Sequence, residues 1–143
     1  MTVERILETK GRDVVTIAAQ ASVGEAARVL AERRIGAIVV TDGGGEVRGI
    51  VSERDVVRVL ATQGVEALDR PIASCMTSAV VTTTHRTTLH SLMQQMTAGR
   101  FRHMPVVEGG RLVGIISIGD VVKHRLEEME SEQQALREYI ATA

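Results

Sequence analysis

One short segment of this chain occurs twice. Gly49–Val57 reads as an apolar strand, a serine, two variable residues, an aspartate and the start of a helix, and Gly114–Val122 repeats that order. The match extends to both sides when residues 14–58 are aligned with residues 80–123 and Gly45 is left unpaired. The unit of about 65 residues is longer than most solenoid repeats, so the pattern favours two tandem copies of one small domain.

Each copy is predicted to fold as strand, helix, strand, strand, helix. Serines at Ser22 and Ser52 are typical helix caps, Gly64 ends the second helix, and Asp42–Gly45 favours a hairpin. The fold class is therefore α/β (α+β), with two β-α-β-β-α copies. The predicted elements are Val14–Ile17, a helix from Ser22, Ile35–Thr41, Glu46–Val51 and Ser52–Gln63, followed by Val80–Thr83, Leu89–Ala98, Met104–Val107, Arg111–Ile116 and a helix from Ser117.

The central strands of both copies are almost continuously apolar, as at Ile38–Val40 and Met104–Val107. Such strands are typically buried on both faces, which a single copy with helices on one side cannot achieve. We therefore expect the copies to pack sheet to sheet about a pseudo-twofold axis, with a ligand crevice between them. The predicted domains are residues 1–66, residues 67–125 and a helical extension over residues 126–143.

The last helix is predicted to continue to about Tyr139. Its apolar residues recur at nearly helical spacing, interrupted by Gln133, while four glutamates fit a solvated face. Little of the chain remains to cover this apolar stripe, so we expect a homodimer formed through helices that include the C-terminal one. The stripe consists of Val121, Val122, Leu126, Met129, Leu136, Tyr139 and Ile140, and the glutamates are Glu127, Glu128, Glu130 and Glu132.

The charge and the cysteine content of the chain restrict its expected cellular compartment and its expected binding partners. Seventeen basic and 18 acidic residues leave a net charge of −1, which disfavours nonspecific binding to nucleic acid. Cys75 is the single cysteine and fits a reducing compartment. No apolar run approaches the roughly 20 residues that span a bilayer, and no signal peptide is recognised, so we expect a cytoplasmic protein with no membrane partner.

The sequence offers little for catalysis or metal binding. The four histidines, among them His85 and His124, have no partners at metal-ligand spacing. No nucleophile with an adjacent base is evident. We expect a protein that is not an enzyme and carries no metal.

The repeated turn has the chemistry of a nucleotide site. A helix N-terminus attracts phosphate, and Ser52 and Ser117 each add a hydroxyl there. Asp55 and Asp120 lie one turn further on and offer carboxylate oxygens to the two hydroxyls of a ribose.

Two further interpretations concern the same turn. Gly49 and Gly114 are predicted to let a flat base approach the preceding strand. Alternatively, serine followed three residues later by aspartate is a capping box, which is common in proteins that bind nothing. Capping and ligand binding are compatible with each other.

These segments resemble a tandem CBS-domain pair, also called a Bateman module. Gly49–Asp55 and Gly114–Asp120 are similar to its Gly-h-h-Ser/Thr-x-x-Asp nucleotide-binding turn, where h is apolar. Met104–Val107 is similar to its central strand with a proline, whereas Ile38–Thr41 lacks that proline. The resemblance covers roughly residues 3–125.

The resemblance implies a regulatory module that binds an adenine nucleotide (AMP, ADP, ATP or NAD(H)) and signals to a separate effector protein. The alternative is a ligand-free dimerisation or interaction module. Adenine would lie between the first and second strands of a copy, and S-adenosyl compounds stay open as ligands. The implied binding residues are Thr16, Ala18, Gly36, Ala37, Ile38, Ser52, Arg54, Asp55, Thr82, Thr84, Arg102, His103, Met104, Pro105, Ser117 and Asp120.

Basic residues near each turn are candidates for contact with phosphate. The second copy has Arg100, Arg102 and His103 before its central strand, and the first has Arg33–Arg34 and Arg54. A nucleotide at one copy could use arginines, or Lys10, from the other copy. Solvated surface positions are the alternative for each of these side chains.

Overall fold

The computed structural model describes residues 1–142, and Ala143, the last residue of the predicted extension, lies outside them. Within that range the chain alternates helices with short strands, which confirms the predicted mixed α+β class. The elements are α1 (Val3–Lys10), β1 (Thr16–Ala18), α2 (Val23–Arg33), β2 (Ala37–Thr41), β3 (Val47–Ser52), α3 (Glu53–Gln63), α4 (Leu89–Gly99), β4 (His103–Glu108), β5 (Arg111–Ser117) and α5 (Ile118–Thr142), with 3₁₀ helices at Val65–Asp69 and Ile72–Ser74.

The two copies share details of their strand pairing. In the first sheet, β1 runs parallel to β2, and β2 pairs antiparallel with β3. In the second, β4 pairs antiparallel with β5. Both hairpins contain an irregularity at the same aligned place, after Val40 and after Val106. The repeat therefore extends to the backbone geometry.

The predicted strand Val80–Thr83 is wrong, because only Thr83 pairs with the second sheet, through a bridge to Val106. Pro105 explains the difference. It aligns with Val39, whose N–H donates to the carbonyl of Val15 at 3.3 Å. Proline has no N–H to donate, so the corresponding bond is lost.

The leading helix α1 lies in the core of the second copy. Val3, Ile6 and Leu7 are at most 1% exposed and pack in the cluster that contains Leu89 and Met104. Their spacing of three and four residues places them on one helix face. The first helix of the chain therefore completes the last domain.

The segment between the copies precedes the second copy but packs in the core of the first. Ala67 and Ile72 are fully buried in the core of the first copy, and Pro71 bridges to Ser22, the N-cap of α2. Thr2 bridges in the same way to Thr88, the N-cap of α4. Each copy thus covers the other with the segment that precedes it, the exchange that a twofold relation produces.

Helix α5 continues past the end of the second core. It spans 25 residues, and every described residue from Met129 onward is exposed. No helix among residues 1–142 has an apolar stretch long enough to cross a bilayer.

The exchange of α1 predicts a large effect of Leu7→Ala. Removing a fully buried leucine side chain costs about 2–5 kcal/mol in the free energy of unfolding, although Leu7 belongs to the first helix of the chain. Urea denaturation measures this loss. Val65→Ala is the control, because Val65 is 76% exposed and surface substitutions stay within about 0.5 kcal/mol. Equal stabilities of the two variants would contradict the buried position of α1.

Candidate functional site

Both repeated turns are capping boxes. Asp55 N donates to Ser52 Oγ at 3.3 Å, while Ser52 N and Oγ donate to Asp55 Oδ2 at 2.8 and 3.0 Å. Ser117 and Asp120 make the same three bonds at 3.2, 2.8 and 2.9 Å. The capping interpretation is confirmed, and each box stabilises its helix by about 1 kcal/mol. In both boxes Oδ1 is left without a hydrogen bond among the described residues.

The first cavity, of about 390 Å³, lies between the copies beside the first turn. The β3–α3 turn and the start of β2 form one side, and the segment before α4 and the start of β4 form the other. Seven predicted residues line it: Gly36, Ala37, Ser52, Arg54, Asp55, Arg102 and His103.

The first cavity has an apolar wall. Ile50, Ala79, Val80, Val81 and Phe101 line it. Flat aromatic ligands bind in clefts of this kind, where a few polar groups fix the orientation. The wall suits a nucleobase.

Arginines surround the other side of the first cavity. Arg54 and Arg58 come from α3, one helical turn apart, and Arg100 and Arg102 come from the second copy. Among residues 1–142, none except Arg58 has a carboxylate within 4 Å, and that pair, with Asp55 Oδ1, is 3.8 Å long. The unpaired guanidiniums favour an anionic ligand, since arginine binds phosphate through several N–H donors.

Arg100 adopts an uncommon backbone conformation. It ends α4 in the left-handed region, with φ 56° and ψ 31°, and Arg34 ends α2 in the same way, with φ 55° and ψ 47°. This conformation costs a non-glycine residue of order 1 kcal/mol. Both copies keep arginine rather than glycine there, and each arginine lines a cavity.

The second cavity, of about 320 Å³, is the counterpart of the first. Val14, Val15, Ile115 and Ser117 line it at positions aligned with Val80, Val81, Ile50 and Ser52 of the first cavity. The two cavities are thus related by the internal repeat. Of the predicted residues, Gly36, Ala37, His103 and Ser117 line the second cavity.

The second aspartate is engaged by a lysine. Lys10 Nζ lies 2.5 Å from Asp120 Oδ2 and donates to the carbonyl of Ile115 at 2.8 Å. Burial acts to raise the pKa of Asp120, but hydrogen bonds from Lys10 and Ser117 outweigh it and hold the pKa below its usual value. Asp120 is therefore ionised near neutral pH.

His103 contributes to both cavities. Burial, followed by the positive charge of Lys10, lowers the pKa of His103, so its ring is neutral at neutral pH. A β-carbon at Gly36 would lie 3.1 Å from the ring of His103. Gly36 thereby leaves room for the imidazole between the cavities.

Eight predicted binding residues lie outside both cavity linings, and one of them is Asp120. Ile38, Met104 and Pro105 are buried, the first two in the cores. Thr16, Ala18, Thr82 and Thr84 are exposed. Their assignment as ligand contacts stays a prediction.

The predicted role of the two glycines is wrong. A β-carbon at Gly49 would lie 2.5 Å from Met76 Sδ and 2.9 Å from the carbonyl oxygen of Thr77, and one at Gly114 would lie 2.7 Å from Leu7. The space above each glycine is filled by the segment exchanged between the copies. The glycines permit this packing rather than the approach of a base.

Sequence reasoning missed several residues that line the first cavity. Arg58 follows Arg54 by four residues, so helical spacing could have placed both on one face. Thr77, Val81 and Phe101 belong to the other copy, and no signal within the first copy indicates them. No cluster of metal-binding side chains occurs in the described part of the chain.

Both repeats of the chain match a known protein family. The model of the CBS domain family matches residues 3–62 and 72–127. The mitochondrial CBS domain-containing protein CBSX3 of Arabidopsis thaliana is 31% identical over 147 aligned residues, which cover 97% of this chain and 71% of the relative.

Two solved structures are similar as well. The CBS-domain containing protein ATU1752 from Agrobacterium tumefaciens is 53% identical, with a TM-score of 0.85, over 87% of this chain and 99% of that one. The CBS domain protein PAE2072 from Pyrobaculum aerophilum, complexed with AMP, is 30% identical, with a TM-score of 0.74, over 84% of this chain and 89% of that one. Together with the two family matches along its length, these similarities show that the chain belongs to the CBS domain family and is a tandem pair of CBS domains.

Proposed function

We propose that this chain is a non-catalytic regulatory module that binds an adenine nucleotide, namely AMP, ADP, ATP or NAD(H), in the first cavity. The observation that carries the proposal is the combination of an apolar wall, a partly buried aspartate and four arginines around one cavity. The AMP complex of the relative from Pyrobaculum aerophilum supports the same ligand class. The bound state would be communicated to a separate effector protein.

The ribose would bind at Asp55. Its Oδ2 is used by the capping box, while Oδ1 lies 3.8 Å from the guanidinium of Arg58, whose side chain is 74% exposed. The side chain of Asp55 is only 13% exposed, so a hydrogen bond from a ribose hydroxyl would form with little competition from water. Hydrogen bonds to charged groups contribute about 1.5–3 kcal/mol.

The phosphates would bind among the arginines. Four guanidiniums and two carboxylates, those of Glu53 and Asp55, line the first cavity, so its charge is positive. A nucleotide phosphate complements this charge, whereas the cationic sulfonium of an S-adenosyl compound is repelled by it. The electrostatics thus favour phosphorylated adenosine over S-adenosyl ligands.

Binding in this cavity would act on the arrangement of the copies. Arg54 and Arg58 belong to the first copy, and Arg100 and Arg102 to the second. A phosphate held by both pairs favours the arrangement that brings them together. The shift can be only as large as the difference in ligand affinity between the two arrangements.

Asp55→Ala tests the ribose contact. Loss of one charge-assisted hydrogen bond is expected to weaken AMP binding at least tenfold, given about 1.5–3 kcal/mol per bond. Isothermal titration with AMP measures the affinity. Asp120→Ala is the matched control, because it removes an equivalent capping box but leaves the first cavity intact. Equal affinities of the two variants and the unmodified chain would overturn the assignment.

The natural ligand can be identified from the purified protein. The chain has no tryptophan and one tyrosine, so a co-purified adenine compound would dominate absorbance near 260 nm. Mass spectrometry of the released compound then identifies it. Absence of any adenine compound, together with no response to AMP, ADP, ATP or NADH, would favour the second candidate function.

That second candidate is a dimerisation module, which the exposed stripe on α5 favours. Leu126 is 54% exposed, Met129 42%, Leu136 58% and Ile140 66%. Residues 129–142 contact no core of the described chain, and an isolated helix of fewer than about 12–15 residues is marginal in water. A partner that covers the stripe would stabilise this end of α5.

The spacing of the stripe suits a second copy of this chain. Leu126 and Ile140 are each seven residues from Gln133, and Met129 and Leu136 lie four and three residues from it. An antiparallel pair centred on Gln133 would therefore match Leu126 with Ile140 and Met129 with Leu136. The two Gln133 side chains would meet and could exchange amide hydrogen bonds.

Leu136→Glu tests the dimer. Placing a carboxylate in an apolar contact opposes association, because a buried unpaired charge is strongly disfavoured, and the dimer dissociation constant is expected to rise at least tenfold. Sedimentation equilibrium measures it. Glu132→Ala, at an exposed position outside the stripe, is the control and should leave the dimer intact. A monomeric unmodified chain, or unchanged association of Leu136→Glu, would contradict the proposal.

A further inference from the structure

The two cavities differ at the position that matters most for a ribose. Asp55 lines the first cavity, whereas Asp120 does not line the second, and Lys10 lines it instead. Lys10, at the end of α1, pairs with Asp120 and lines the cavity that Asp120 does not line.

The ammonium of Lys10 neutralises the carboxylate to which a ribose would bind, although it contacts Oδ2 and leaves Oδ1 without a hydrogen bond among the described residues. Asp120 Oδ2 already accepts from Ser117 N and Oγ and takes Lys10 Nζ as its third donor. The same ammonium binds the carbonyl of Ile115. The side chains of Lys10 and Asp120 are 29% and 22% exposed, so water screens their attraction less than that of a surface pair.

The first copy has no lysine at that position, and the cation paired with Asp55 is Arg58, which lies 3.8 Å from Oδ1 and has a 74% exposed side chain. Met76 stands at the position aligned with Lys10, and the carbonyl of Ile50, aligned with Ile115, accepts from the backbone N–H of Thr77 at 2.9 Å. A neutral thioether cannot compete for Asp55. The aligned change from Met76 to Lys10 therefore gives the second aspartate a counter-ion at 2.5 Å, which the first aspartate lacks.

We propose that Lys10 is a tethered counter-ion that closes the second cavity to nucleosides, so that each chain offers one nucleotide site, and that neutralising Lys10 opens a second. The proposal rests on the proposed function only for the class of ligand. Lys10 is thereby a residue that determines which of two related cavities binds.

Two substitutions at Lys10 separate charge from shape. Lys10→Met introduces the residue that the first copy has at the aligned position, and Lys10→Arg keeps the charge. Equilibrium dialysis with AMP is expected to give one site per chain for the unmodified protein and for Lys10→Arg, and two for Lys10→Met. Two sites in the unmodified protein or in Lys10→Arg, or no additional site in Lys10→Met, would overturn the proposal.

The Asp55→Ala background distinguishes this proposal from the proposed function. AMP binding to the single variant is expected to weaken at least tenfold, and the double variant Lys10→Met/Asp55→Ala is expected to regain one tight site. If the unmodified chain binds no AMP while Lys10→Met binds one, the proposed role of the first cavity fails and the closure by Lys10 stands. If the double variant binds none, the closure by Lys10 is refuted.

A measurement without nucleotide tests the ion pair itself. The ¹³C resonance of the Asp120 carboxyl is expected to titrate below the ordinary aspartate pKa of about 3.9 in the unmodified chain and closer to it in Lys10→Met. Because the folded pKa is lowered, the stabilisation is present above the unfolded pKa and is lost as the pH falls through the folded value. The same titration in both proteins would show that Lys10 does not hold Asp120.

Discussion

The reciprocal exchange of leading segments is the packing on which the rest of this molecule depends. Leu7 completes the core of the second copy and Ile72 completes that of the first. Neither core is closed without a segment that precedes the other copy. The exchange therefore couples the positions of the two copies, and the two cavities between them take their shape from it.

Near symmetry of the fold coexists with different chemistry in the cavities. Most buried residues that define the two cores are apolar at aligned positions, so both copies keep the same hairpins and capped helices. The cavity walls are only partly buried and tolerate exchanges of charge, such as Arg102 in the first cavity for Gly36 in the second. One fold can thus offer a positive cavity lined by an aspartate and a second cavity whose aspartate is paired with a lysine.

Local signals in the sequence predicted much of the fold. Ser52 and Ser117 start helices where expected, and the glycine-rich turn at Asp42–Gly45 joins β2 to β3, because caps and turns depend on residues close in sequence. The strand at Val80–Thr83 was predicted wrongly, since the missing N–H of Pro105 on a neighbouring strand decides its pairing. The packing of α1 in the second core was not predictable either. Amphipathic spacing shows that one face of a helix is buried, but it does not show which part of the protein covers that face.

The candidate site was predictable to a similar extent. Asp55 and Arg54 follow from the repeated turn, whereas Val81 and Phe101 enter the same cavity from the other copy. The spacing of residues along the chain does not show which residues of the two copies face each other across the cavity. The closed state of Asp120 was also hidden, because Lys10 is 110 residues away in the sequence.

The burial of α1 in the second core also affects the order in which the two domains can fold during synthesis. Leu7 leaves the ribosome long before Ile116 and Val121, which belong to the same core. The first domain has all of its core once Ile72 has emerged, whereas the second must wait for almost the whole chain. Contacts so distant in sequence form slowly, and until they do the apolar face of α1 stays open to chaperones and to other nascent chains.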